Sequence, residues 1–514
     1  MAAFSREVRA RAPALLVVFL LGFFALIFGI ASALLPAWFV FSVLLVPAVA
    51  AVMFVRPEYA LTACVALVCG LIHPSLVPRI PVFGGFLAAA DAALAMLAIY
   101  AVWAFATRGT VADSAPVVGA RWLAVALGLF GTSLAIAVIL SLSLRGLRPA
   151  FVLGETRDLL YLMVLPIAVV ILRQPERQAR FVISFVVLGC LFSMGQILQG
   201  VFNIPVFGAQ GMGALETLGR EDAGTTRAIT LGLNVIVFSL LLTVGAYVLG
   251  TIRKRLFFPV AGLLLVGIVL TFGRTTFAVV LICLVTVVWW LNFAKLPLLA
   301  SLLVASVAIG SAGAMYLKPD SVAAVYYRMT TIGEEIGYGY SAQWRFWEVE
   351  AMLPHIKEHP FVGIGLGADY KGLSGSSARA DLNQYMHNAY LYMAGKMGLP
   401  ALAFFLLSMA AILAIGRRTA KSDAPSWNRI VGAAGAAMII RFLLASVTEP
   451  HLMSDYGVVV IAITGALVFL SAQRSAADGQ LGHASQAVRR NAAKQPFSTK
   501  ERVRSMSVLA EPNQ

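Results

Sequence analysis

Apolar runs of about 17 to 25 residues, the length a helix needs to cross a hydrocarbon core, recur along this chain, centred near residues 22, 46, 66, 96, 130, 166, 190, 240, 264, 283, 307, 402, 438 and 463. In lipid every backbone amide must find a partner within the protein, and a helix supplies that partner locally. The pattern predicts an all-α polytopic integral membrane protein with about 12–14 transmembrane helices. Composition excludes a water-soluble globule: 60% of side chains are apolar, only 12% are charged, and mean hydropathy is +0.86. The first run follows Arg6, Arg9 and Arg11 without a small-residue cleavage site, and is expected to be a retained helix rather than a signal peptide.

Lysine and arginine bias sets the orientation. The groups Arg173, Arg177 and Arg180, then Arg253, Lys254 and Arg255, then Arg417, Arg418, Lys421 and Arg429 recur where one face of the membrane is expected, which puts both termini in the cytoplasm. Residues 1–316 then read as N-terminal transmembrane helices, 317–387 as one large extracytoplasmic loop, 388–472 as C-terminal transmembrane helices and 473–514 as a disordered, basic cytoplasmic tail. Smaller outer segments fall near 73–85, 142–158, 203–228 and 448–455.

The net charge of +15 does not point to nucleic acid, because the large loop holds six Lys/Arg against eight acids and the excess is cytoplasmic. Cys64, Cys69, Cys190 and Cys283 all fall in expected helices, with neither disulfide nor metal-ligand spacing. No internal repeat and no matched pair of broken helices marks a transporter.

Polar chemistry is concentrated in the loop. It carries three of the six histidines, His355, His359 and His387, and nine of 14 tyrosines lie between Tyr316 and Tyr392. Ser341 to Glu358 reads as a helix stopped by Pro360, with Trp344 and Trp347 available to stack on a sugar ring. The following Gly363-Ile364-Gly365-Leu366-Gly367 is a turn and only a weak phosphate signal, since no strand precedes it. His387 stands at the mouth of an apolar helix with Leu391, Ala394 and Gly398 on its face, so that a neighbouring helix or a lipid chain can approach beneath the imidazole; there a neutral histidine suits a general base.

Arg274, Arg345 and Arg227 all fall on the outer side, and three guanidinium groups suit a diphosphate. Blander readings stand beside this one: Arg274 as an interfacial snorkelling residue, Arg345 as an i, i+3 partner of Glu348, Arg441 paired with Glu449, and Glu155, Arg157 and Asp158 as local ion pairs.

Pro360-Phe361-Val362-Gly363-Ile364-Gly365-Leu366-Gly367, followed by His387-Asn388-Ala389-Tyr390-Leu391 and Gly398, resembles the O-antigen ligase and polymerase family of bacterial envelope glycosyltransferases over roughly residues 225–415. Gly273-Arg274 at a helix start and Arg345 in the loop helix match the same pattern. Two departures, Ala401 where a second glycine is frequent and Gly273 where serine is common, remove no chemical group. The resemblance implies glycan transfer from a polyprenyl diphosphate carrier to a hydroxyl of a glycan or lipid A core acceptor, at the periplasmic face of the inner membrane, without cofactor or metal. His387 would act as base, Arg274, Arg345 and Arg227 would bind the diphosphate, and Asn388, Tyr390 and Gly398 would support the site. A transporter or flippase for lipid-linked oligosaccharide is the alternative.

Overall fold

The computed structural model describes residues 55–72, 79–82, 85–108, 117–202, 204, 209–217, 220–271, 273–297, 300, 301, 330, 340–371 and 384–494. The helices expected near residues 22, 46 and 307 lie outside the described residues. At every other expected centre there is a helix.

In chain order these are α1 (Pro57–Val68), the hairpin β1 (Arg79–Val82) and β2 (Gly85–Ala88), α2 (Ala89–Arg108), and α3 (Ala120–Ile139) with a π turn over Leu140–Leu144. Next come α4 (Pro149–Leu160), a 3-10 turn and α5 (Val164–Ile171), α6 (Pro175–Phe202), the hairpin β3 (Ala209–Thr217) and β4 (Arg220–Thr230), α7 (Leu233–Val248), α8 (Lys254–Val269) and α9 (Arg274–Asn292). The rest is α10 (Tyr340–Glu358), α11 (Ala389–Met397), α12 (Leu399–Lys421), α13 (Ser426–Ala445) and α14 (Asp455–Lys494). Proline opens α1, α4 and α6, where its missing N–H would have no helical acceptor anyway.

Among the described residues seven helices, α2, α3, α6, α9, α12, α13 and α14, are long and apolar enough to cross a membrane, so the chain is a multi-pass membrane protein. The helical fold expected from the periodicity is present, with two antiparallel hairpins added in outer segments that the apolar runs do not describe. α13 and α14 are enclosed by other helices, whereas α2 and α3 turn Ile99, Val102, Trp103, Val125 and Ile136 outward. Outward apolar side chains are the normal state of a lipid-facing helix. α12 and α13 approach closely where Gly416 meets Gly432; a Cβ on either would collide with the other's carbonyl oxygen.

The two ends of the bundle differ in charge. Arg429 reaches Leu291 O, Gln178 meets Ser471, and α7 ends beside Ile430, which gathers the ends carrying Arg177, Arg253, Arg418, Arg429 and Arg474 together. Both hairpins, α10 and His387 lie toward the opposite end.

One boundary needs correction. Residues 473–494, expected to be a disordered tail, continue α14. This segment is rich in alanine, the best helix former, and Arg474 anchors its start through Gln178, Leu172 O (3.3 Å) and Arg173 O (3.1 Å). Residues 495–514 lie outside the described residues.

Candidate active site

The loop helix begins and ends almost where its sequence predicts, and Pro360 follows it. Gly363, Gly365 and Gly367 then all take positive φ, at 62°, 99° and 75°, a region that side-chain-bearing residues rarely enter. The resulting turn docks on the end of α11: Ile364 N–H donates to Gly395 O (2.7 Å), Gly365 N–H to Lys396 O (3.0 Å) and Leu399 N–H to Pro360 O (2.8 Å). These bonds satisfy carbonyls that a helix end leaves open. They also consume the amides that a phosphate would need, and Gly367 N–H goes to Glu155 (2.7 Å). The space under His387 is therefore filled by the protein itself, with Met352 of α10 against Gly395 and the Phe361 carbonyl against Gly398.

Asn388 caps α11, its side chain accepting from the N–H groups of Tyr390 and Leu391, both at 3.0 Å; such a cap is worth about 0.5–2 kcal/mol. Ala389 N–H donates to Ser446 O (3.0 Å), and the Tyr390 hydroxyl donates to Leu443 O. Asn388 and Tyr390 thus fix the start of α11 against α13, and with it the backbone of His387, while Gly398 closes the far end of α11 against Phe361.

Glu348 decides which way the imidazole points. Its Oε2 accepts from both His387 N–H (2.9 Å) and His387 Nδ1 (3.0 Å), while Oε1 accepts from Lys371 Nζ (2.7 Å) and Trp344 Nε1 (3.0 Å). The carboxylate is 1% exposed and the His387 side chain 29% exposed. Burial pushes the Glu348 carboxyl up, but hydrogen bonds from His387 and Lys371 win and hold it at about 2. Lys371 is lowered by burial, with Glu348 opposing. An ionised carboxylate on Nδ1 favours the tautomer with hydrogen on that atom, which leaves the Nε2 lone pair for chemistry.

This overturns two expectations. Glu348 serves His387 and Lys371 rather than pairing with Arg345. Trp344, expected as a sugar platform, donates to Glu348 and lies under Lys371. Sequence held one clue to Glu348: Trp344, Glu348 and Met352 share one helix face at i, i+4 spacing, so an acid interrupts a buried stripe. Lys371 had no such signal, because its role depends on contact across the loop.

Arg345 lies one turn before Glu348 on the same helix. Burial of the Tyr385 hydroxyl, with the charges of Glu348 and Glu449, pushes that tyrosine up to about 12, and Arg345 pulls against them. Tyr385 in turn sets its ring edge against the His387 imidazole, centroids 5.0 Å apart. Arg345 and His387 are thereby brought into one neighbourhood.

Arg274 opens α9 behind Gly273 and is half-buried. Cys283 Sγ meets Ala437 O (3.1 Å), and Arg429 meets Leu291 O (3.4 Å), so α9 and α13 run antiparallel. Nine residues separate Cys283 from Arg274 and nine separate Ala437 from Ser446, about 13 Å along each helix. Arg274 therefore reaches the level at which Ser446 holds Ala389. Arg227 lies on β4 opposite Gly213, in the hairpin that leads into α7; its side chain lies outside the described residues.

The other expected pairs find different partners. Arg441 donates to Asn234 across α7 and α13, while Glu449 pairs with His451. Arg157 binds Asp91 and Asp455, both at 3.2 Å, and Glu155 binds Lys396 at 3.0 Å. Arg157 and Glu155 take partners from other helices because packing brings those charges closer than their neighbours on α4.

Fold and site together define a multi-pass membrane protein with an oriented histidine at one end of its bundle. Residues 259–406 match the family model described as O-antigen ligase. The span takes in Arg274, Arg345, Glu348, Lys371, His387, Asn388, Tyr390 and Gly398. No curated protein matches the chain.

Proposed function

We propose that this protein transfers a glycan from a polyprenyl diphosphate carrier to a hydroxyl acceptor at the periplasmic face of the inner membrane, as a ligase onto lipid A core or as a repeat-unit polymerase. The observation that carries the reading is the Glu348–His387 pair, a half-exposed imidazole whose Nδ1 is held by a buried carboxylate. Nε2 takes the proton of the acceptor hydroxyl, the freed oxygen attacks the anomeric carbon, and the bond from that carbon to the diphosphate oxygen breaks. The electron pair leaves with the polyprenyl diphosphate, whose charge Arg274, Arg345 and Arg227 stabilise. The imidazolium, stabilised by Glu348, then releases its proton to water and the base is restored. The Lys/Arg groups gathered at the opposite end of the bundle support the periplasmic reading.

The test is transfer by purified protein from a lipid-linked glycan donor, with chelator present. His387→Ala is expected to lower the rate about 10²- to 10⁴-fold at unchanged protein level and thermal midpoint. Near-normal transfer in this variant would sink the mechanism, and a requirement for divalent metal would replace the arginines as the means of handling the diphosphate.

A further inference from the structure

An apolar groove of about 1060 Å³ runs along α3 on the side of the bundle that α2 and α3 turn outward. Its walls come from α2, α3, α4, α5 and the turn between the last two, with Phe469 of α14 behind, and apart from Arg121 and Thr156 every lining side chain is apolar. The Thr156 hydroxyl is already spent on Val152 O (2.6 Å). The floor is a strip of small residues, Ala120, Ala124, Gly128, Gly131 and Ala135, and above Gly128 and Gly131 no neighbouring atom comes within 4 Å of where a Cβ would stand. The lining extends from Ala120 to Ile139, a helical rise of about 28 Å. That is nearly the full hydrocarbon core of about 30 Å, and about twice the depth of one leaflet.

The outer end of the groove is tied to the candidate active site. Beyond Ile139 the helix continues through its π turn to Arg145, within about 9 Å, which is headgroup depth. Arg145 Nη2 donates to Gly363 O (2.6 Å) in the turn that docks on α11, while Arg145 Nη1 is buried with no hydrogen-bond partner among the described residues. A buried guanidinium N–H left unpaired is costly, and a phosphoryl oxygen would satisfy it. Arg148 follows, over the ring of Phe151 (5.9 Å), and Phe151 lines a second cavity, of about 400 Å³, whose wall includes the Tyr385 ring that touches His387. Only α4 separates the two spaces: Leu159 and Leu160 face the groove, Phe151 and Glu155 the smaller cavity. Among the described residues neither α9 nor α10 lines the groove, so it lies apart from Arg274 and Arg345.

Resting on the glycosyl-transfer reading, we propose that the groove seats the polyprenyl chain of a lipid-linked acceptor, with Arg145 and Arg148 on its phosphoryl head, so that the protein joins two lipid-linked saccharides. Length selects the occupant. The acyl chains of a phospholipid or of lipid A end near the bilayer midplane and would fill half of the groove, whereas a polyprenyl chain can follow all of it, lying close against a backbone that glycine and alanine leave uncovered. The two carriers reach His387 from different flanks, the donor by the arginines of α9 and α10 and the acceptor by α3. Nε2 takes the proton of the acceptor hydroxyl, the bond from the donor's anomeric carbon to its diphosphate breaks with the electron pair leaving on the donor carrier, and the product stays on the acceptor's carrier. This favours repeat-unit polymerisation over transfer to lipid A core.

Photolabelling of the full chain in lipid nanodiscs tests this with two benzophenone probes, a polyprenyl phosphate and a diacyl phosphatidylglycerol. The polyprenyl probe is expected to mark α3 along both halves of the bilayer, and excess unlabelled polyprenyl phosphate to compete it away. Gly128→Leu and Gly131→Leu fill the slot on a helix that gains by losing glycine, and each should cut the labelling about tenfold, the scale of ten or so lost atom contacts. Gly262→Leu, at an equally open position on α8, should leave it unchanged. Equal labelling of α3 by the diacyl probe, or full polyprenyl labelling in Gly128→Leu, overturns the groove. Transfer kinetics assign its occupant: Gly128→Leu should raise the KM for a polyprenyl-linked acceptor about tenfold and leave that for the donor unchanged. A rise for the donor alone overturns the acceptor assignment. Selective labelling without any transfer by the wild-type protein would leave the polyprenyl groove standing and remove the transferase reading.

Discussion

Glu58 and Glu348 are both carboxylates sealed inside the protein, one near each end of the bundle, and they do opposite jobs. Glu58 opens α1 and is closed in by the guanidinium groups of Arg180 (2.6 Å) and Arg177 (3.9 Å). Glu348 is held by Lys371 and by His387, whose imidazole remains 29% exposed. The first arrangement has nothing left to exchange and ties α1 to α6. The second leaves an imidazole with one nitrogen fixed and the other available. Burying a carboxylate is expensive in either place; what separates a structural pin from a candidate catalytic pair is whether one partner can still reach a substrate.

The widest expected separation between the two comes from removing each charge while keeping the shape. Glu348→Gln should lower transfer about 10²- to 10³-fold, since loss of the carboxylate behind a catalytic histidine disturbs its tautomer, whereas Glu58→Gln should leave transfer within about twofold and lower the thermal midpoint, by about 1–3 kcal/mol of lost pairing. Equal losses of transfer in the two variants would erase the distinction.

A smaller effect is expected at the arginines. Lysine keeps the charge but not the planar fork, so Arg274→Lys and Arg345→Lys should each lower transfer about tenfold at unchanged protein level. Arg227→Lys should be milder, and Arg328→Lys close to wild type. Kinetics of the purified variants decide this, and wild-type turnover in Arg274→Lys and Arg345→Lys would remove the diphosphate clamp.

Acid should sharpen the contrast through stability. The Glu348 carboxyl is held below its ordinary 4.5, at about 2, so its contribution is fully present above about pH 4.5 and is lost as pH falls through about 2. A gap of that size corresponds to about 3 kcal/mol. The difference in thermal midpoint between wild type and Glu348→Gln should accordingly shrink across that window, and a difference that grows as pH falls would contradict the geometry around this carboxylate.

The least drastic test concerns which compartment each end faces. Cysteines at Ser341 and Ser376 should react with an impermeant thiol reagent in spheroplasts, and one at Ser485 should not. Labelling at Ser485 alone would turn the protein over and place the site in the cytoplasm.

Sequence by itself determined the parts of this protein that depend on local spacing. Apolar runs marked the membrane helices, because a helix in lipid must satisfy its own backbone and cover it with apolar side chains. The loop helix, its stop at Pro360, the glycine turn and the prominence of His387 were legible for the same local reason. The two hairpins were not, since strand pairing depends on a partner segment rather than on an apolar run. Nor was the helical stretch 473–494, where a polar surface hid a backbone of good helix formers.

Only the tertiary structure decided who partners whom. Lys371 is distant in sequence from Glu348, and Asp91 and Asp455 lie far from Arg157, yet each contact is made. In a low-dielectric interior a charge binds the nearest opposite charge that packing delivers, and packing is a property of the whole bundle. Periodicity could place His387 at a helix mouth; the orientation of its ring waited for Glu348 to arrive from another helix.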